Sequence, residues 1–183
     1  MQTHELEANL RTLDQTVIRL GQAVQNMRNS INQYYSEAYS LENAANQLLS
    51  MASSEEDPER VSQIYSQASS YMNQAESYRM QAQQVESQIG ERATELRAYK
   101  SEYQYYLNEG QTNLANLKIA ADTLLNVSGS KYGADKLKAA LAQTNQRIIY
   151  NQNLIKGCQT RMNWIDQICG SDGDPQLVKV KRR

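Results

Sequence analysis

Few residues in this chain of 183 carry reactive side chains: one histidine and two cysteines. His4 stands near the start of the chain, so imidazole chemistry would have to run from a fraying first helical turn. Cys158 and Cys169 lie on one predicted helix, and three helical turns set their Cα atoms ~16 Å apart, beyond disulfide reach. Zinc needs about four ligands, and a lone histidine with two separated thiols does not supply them. Buried structural thiols are the plainer expectation, with an intermolecular disulfide as the alternative. Glu55, Glu56 and Asp57 cluster where a turn is expected, and there carboxylates ordinarily serve as solvated caps. Glu91, Glu95 and Asp122 sit on helices without the repeated Glu-x-x-His pattern of a di-iron bundle. There is no Gly-rich phosphate loop, no paired-cysteine metal motif and no nucleophile elbow. The expectation is a protein without catalysis, cofactor, metal or small-molecule ligand.

Composition narrows the partners as well. A net charge of −1 with a pI near 5.9 lacks the broad basic surface that nucleic acid requires. No apolar run approaches a membrane span. Hydrophobic residues make up 40% of the chain, with twelve Tyr and no Phe, which suits thin helical layers better than a thick core. The N-terminus, Met-Gln-Thr-His-Glu-Leu-Glu, has neither the basic nor the apolar region of a cleaved signal peptide. The expected location is the cytoplasm, or outside the cell by a route that needs no such signal.

Hydrophobic spacing supplies the architecture. From Pro58 to about Val127 the apolar positions Val61, Ile64, Ala68, Tyr71, Ala75, Tyr78, Ala82, Val85 and Ile89 alternate three and four apart. That is a coiled-coil seam, which a strand's period of two cannot produce. The seam continues through Ala93, Leu96, Tyr99, Tyr103, Tyr106, Gly110, Leu114, Leu117, Ala121 and Leu124. Double steps of four near Ile89 and Gly110 turn the stripe toward a new neighbour. Asp57 can cap the first free N–H groups, and Pro58 at the first helical position forfeits no hydrogen bond.

An unbroken seam from Leu6 to Ala52 predicts a helix over 4–52. The short linker Ser53–Asp57 should fold it antiparallel onto the 58–127 helix, with Tyr34, Tyr35 and Tyr39 near Tyr71 and Tyr78. A Ser/Gly turn at 128–133 leads to a third helix over 134–169, its seam running from Leu137 through Thr144, Asn151, Ile155 and Cys158 to Cys169. Thr144 and Asn151 are polar seam positions that can fix register. The predicted fold is all-α: an antiparallel coiled-coil bundle of three long helices. One elongated domain would cover 1–170, with a flexible basic tail over 171–183.

The third helix has a second stripe, Tyr150, Leu154, Gly157, Arg161, Trp164 and Ile168, and two stripes imply two neighbours. One is the late part of the central helix. The other is either the start of the first helix or a separate protein. Gly157 would allow close backbone approach, and Trp164, the only tryptophan, is the expected anchor of an interface. Tyr150, Leu154, Gly157, Trp164 and Ile168 are therefore the candidate partner-binding residues. In the tail, Lys179, Lys181, Arg182 and Arg183 could meet an acidic partner, and 177–181 could add to a sheet edge.

The stretch Leu117-Lys118-Ile119-Ala120-Ala121-Asp122-Thr123-Leu124-Leu125, a turn holding Tyr132-Gly133, and a long amphipathic helix together resemble the Trp-x-Gly helical hairpins of type VII secretion. They are also similar to the helical partners of LXG toxins and to LXG targeting domains. The likeness covers about Leu96 to Cys169. Tyr132-Gly133 stands where the family has Trp-x-Gly, and Tyr105 to Glu109, the one Tyr-x-x-x-Glu match, falls inside the central helix rather than after the hairpin. The resemblance implies a leaderless helical protein exported with a larger toxin, or acting as its targeting partner. Periodicity alone implies only helix-against-helix binding to another helical protein, in a hetero- or homo-oligomer. An intracellular scaffold or adaptor, or a component of a phage or secretion apparatus, would show the same pattern.

Overall fold

The computed structural model describes residues 3–127 and 134–170. The expected turn at Tyr132 and Gly133 and the expected flexible tail over 171–183 lie outside the described residues. So do the side chains of His4 and Leu6. Three helices follow one another, α1 (Thr3–Ala52), α2 (Pro58–Val127) and α3 (Ala134–Cys169), and there is no strand among the described residues. The fold is the all-α, three-helix arrangement that the spacing predicts. Within α2, the 70 residues continue without a break through both double steps of four and through Gly110. α3 ends at Gly170, whose φ of 79° is the left-handed conformation that glycine adopts without a Cβ penalty.

Tertiary contacts divide the chain into two compact units, with the divisions falling after Ile18 in α1 and after Thr94 in α2. Arg19–Thr94 is a helical hairpin. At its turn the Asp57 side chain accepts from the Glu59 N–H at 2.9 Å and the Asp57 carbonyl accepts from the Val61 N–H at 2.9 Å. This is the cap expected before Pro58.

The hairpin core is built largely from alanine. Ala38, Ala45 and Ala52 on α1 and Ala68, Ala75 and Ala82 on α2 are all buried, each set at a strict seven-residue interval. A methyl group at every second seam position lets two helix axes draw close. The larger seam residues then flank the contact rather than fill it, so Tyr34, Leu41, Tyr71 and Tyr78 stay half-buried. Tyr34 stacks on Tyr78 with ring centroids 6.1 Å apart, and the Tyr35 hydroxyl donates to Glu86 at 3.1 Å. Arg79 pairs with Glu42 across the same hairpin. Tyr39, expected in this belt, is instead exposed.

The second unit takes the start of α1, up to Ile18, and the described residues of α2 and α3 from Glu95 to Cys169. Here three helices meet: α1 and α3 run parallel to each other and antiparallel to α2. Val17, Leu96, Tyr103, Cys158 and Ile165 are almost wholly buried. At roughly 1.5–3 kcal/mol for each fully buried large side chain, these residues anchor the unit.

Candidate functional site

The three-helix section is tied by a polar cluster with one member from each helix. Asp14 on α1 lies one position past the seam residue Leu13, at the edge of the contact. Its Oδ1 accepts two hydrogen bonds, from the Tyr103 hydroxyl of α2 at 2.5 Å and from the Arg161 Nε of α3 at 3.1 Å. The Arg161 guanidinium also lies 5.3 Å from the centroid of the Trp164 ring, within cation–π range. On the far flank, Lys100 pairs with Asp166 at 2.8 Å. Arg97 donates to the Cys169 carbonyl at 2.7 Å, satisfying one of the orphan carbonyls at the end of α3.

These contacts show what faces the second stripe of α3. Arg161 binds α1, Tyr150 lies in the electrostatic neighbourhood of Glu7 and Arg11 of α1, and Leu154 and Ile168 are buried. The first helix of the same chain thus faces the stripe at Tyr150 and Arg161, and Leu154 and Ile168 are buried within the chain. Trp164 is half-buried and its ring face is engaged by Arg161. The expectation for Gly157 is corrected. A Cβ there would meet nothing within 4 Å, whereas a Cβ at Gly110 would lie 2.9 Å from Leu154 Cδ2 and 3.2 Å from Ile155 Cγ1. The close approach is made by α2, at the second double step of four, and not by α3. Gly157→Ala is accordingly expected to stabilise the chain by about 0.5–1 kcal/mol through helix propensity alone, read as a raised thermal midpoint.

Register is also held differently from the expectation. Thr144 Oγ1 donates to the Ala140 carbonyl at 2.8 Å and Asn151 Nδ2 to the Arg147 carbonyl at 2.8 Å. Both polar seam residues bond back into their own helix, so neither links α3 to α2. Lys100 and Arg97 link α2 to α3, and Asp14 ties α1 to both.

Cys158 and Cys169 are both buried, as the plainer expectation had it. Burial first, and the Asp14 carboxylate second, push the Cys158 thiol from its ordinary 9.0 up to about 11. Burial and the hydrogen bond to Asp14 hold the Tyr103 hydroxyl above its usual range in the same direction. Both groups keep their protons longer folded than unfolded, so the folded state loses stability as the pH rises. Stability should be flat up to the thiol's ordinary 9.0 and should decline as the pH climbs toward 11. Chemical denaturation at stepped alkaline pH checks this, and Cys158→Ala should shrink the decline.

Beyond the reach of α1 the seam changes character. Gly110 packs on Leu154 and Ile155, in the same antiparallel register as Lys100 with Asp166. Continuing that register sets Leu114 level with Asn151, Leu117 with Ile148, Ala121 with Thr144, and Leu124 with Leu141. Of these, only Ala121 and Asn151 are buried. The leucines, Ile148 and Leu137 are half-buried, and Ile119, Leu125, Val127 and Ile149 stand exposed. Sequence periodicity marked these positions as seam but gave no sign that the seam is open there.

The unit is thus a three-helix coiled-coil section continued by a two-helix hairpin with an open apolar seam. No protein-family model, curated protein or solved structure matches the chain. Among the described residues no group of His, Cys, Asp and Glu could hold a metal ion, and no helix is long and apolar enough to cross a membrane.

Proposed function

We propose that this chain is a non-catalytic protein–protein interaction module that binds another helical protein helix against helix. The observation that carries this is the open seam. Where α1 lies beside α2 and α3 the seam mixes half-buried residues such as Tyr99, Tyr106 and Ile155 with the nearly inaccessible Leu96, Tyr103, Cys158 and Ile165, whereas further along Leu117, Leu124, Leu141 and Ile148 are all half-buried. A two-helix hairpin buries its apolar stripe incompletely, and a further helix completes the burial. The binding surface moves accordingly from the stripe around Trp164 to the α2–α3 hairpin, with Tyr150 at its margin and Gly157 outside it.

The type VII secretion reading, in which the module is a targeting partner or substrate, rests on the sequence resemblance over Leu96 to Cys169. An intracellular scaffold is the alternative. One experiment tests both levels. The tagged chain and a Leu117→Glu, Leu124→Glu variant are expressed in the source cell, and lysate and culture medium are compared by mass spectrometry. A stoichiometric helical partner held by the wild type and lost by the variant supports the module, and its presence in the medium supports export. Equal recovery with both chains contradicts helix docking at this seam.

A further inference from the structure

The open seam continues the surface on which α1 docks, and its charges say what would continue α1. Along α3, Arg161 takes a carboxylate of α1, Asp14, and Tyr150 lies near Glu7 of α1. Fourteen residues before Arg161 stands Arg147, and fourteen before Tyr150 stands Lys136. Two heptads return a side chain to the same face of a coiled-coil helix. Arg147 and Lys136 therefore stand on the side of α3 that α1 covers further along, but both are exposed. Between them on that face lie Ala140, half-buried, and Gln143, exposed. Across the seam, α2 offers Leu117 and Leu124 beside Asn116, Ala120 and Thr123. These five side chains include no carboxylate to neutralise the two cations, and the short ones, Ala120 and Thr123, permit close helix approach.

We propose that the open α2–α3 seam takes an acidic amphipathic helix of a partner protein, laid parallel to α3 and in line with α1. Its apolar stripe sits over Leu117, Leu124 and Ile148, and its carboxylates meet Arg147 and Lys136 as Asp14 meets Arg161. This rests on the helix-docking reading above and adds to it the chemistry of the partner. Exposed ion pairs add little affinity by themselves, so the apolar stripe supplies binding and the charges supply selection and orientation.

Two synthetic helices of roughly three heptads serve as probes, one with a leucine seam flanked by Glu, the other with the same seam flanked by Lys. Fluorescence anisotropy against the full chain at low salt should show the Glu peptide bound and the Lys peptide bound about tenfold more weakly. Arg147→Glu with Lys136→Glu should reverse that order. Both positions are exposed, and unchanged far-ultraviolet circular dichroism would confirm that the fold is kept. Equal binding of the two peptides, abolished by Leu124→Ser but untouched by the charge reversals, would overturn the acidic partner and leave helix docking standing. Binding of neither peptide, with a wild-type dimer in sedimentation that Leu124→Ser dissolves, would give the seam to a second copy and also overturn the proposal. Binding of neither peptide by a monomer would remove both the acidic partner and the docking reading.

Discussion

Asp14→Ala is expected to destabilise the three-helix section by about 3 kcal/mol. Asp14 is the one acceptor for both Tyr103 and Arg161, so its loss strands two donors at once. Removing one partner of a buried ion pair costs ~3–5 kcal/mol, because the other charge stays behind. Here solvent reduces that, since the Arg161 and Asp14 side chains retain 24% and 39% of their exposure, leaving about 2 kcal/mol for the charge. The buried Tyr103 hydroxyl, left without its acceptor, adds about 1 kcal/mol. Tyr103→Phe removes one donor, leaves Asp14 paired with Arg161, and should cost only about 1 kcal/mol. Urea denaturation of the two variants separates the cases. Equal, small losses would mean that the cluster is solvated and holds nothing together.

Gly110→Val should cost about 2 kcal/mol net, despite the helix-propensity gain over glycine. A Cβ alone would sit 2.9 Å from Leu154 Cδ2 and 3.2 Å from Ile155 Cγ1, and two further methyl groups would enlarge the conflict. Overpacking of this kind costs ~1–3 kcal/mol, occasionally more, and a β-branched side chain is stiff in a helix. Gly110→Ala is the informative companion. Leu154 Cδ2 is the end of a flexible side chain, so its shift offsets much of the ~1 kcal/mol propensity gain, and near-neutrality is expected. By contrast, a Gly110→Val chain as stable as the wild type would show that α2 and α3 are further apart than described.

The helices were legible in the sequence because a heptad seam is a repeated local signal. Described seam positions from Leu10 to Ala52, from Val61 to Leu124 and from Leu137 to Cys169 are all buried or half-buried. The contacts that lock the helices together were not legible. Asp14 meets residues 89 and 147 positions away, and no local pattern encodes such distances. One faint signal existed, since Asp14 is the only carboxylate of α1 between Glu7 and Glu37 and it adjoins the seam. The alanines at seven-residue intervals lay in plain view, but spacing alone marks them as core and not as a close helix contact. Gly110 and Gly157 illustrate the limit of reasoning from residue type. Both are helical glycines on a stripe, and only the packed neighbours distinguish a tight contact from open space. The open seam was hidden for a related reason: how far a seam residue is buried depends on which helices pack around it, which is a property of the assembled unit.

Hydrogen exchange along α2 and α3 tests the central claim most directly, with the chain measured alone and in the complex recovered from the source cell. Alone, the amides of 114–127 and 137–148 should exchange much faster than those of 95–107 and 154–168, since a seam covered on one side opens more readily. In the complex the first pair of segments should gain protection while the second changes little. Uniform protection in the free chain, or a gain confined to other segments on binding, would contradict an open seam that another helix completes.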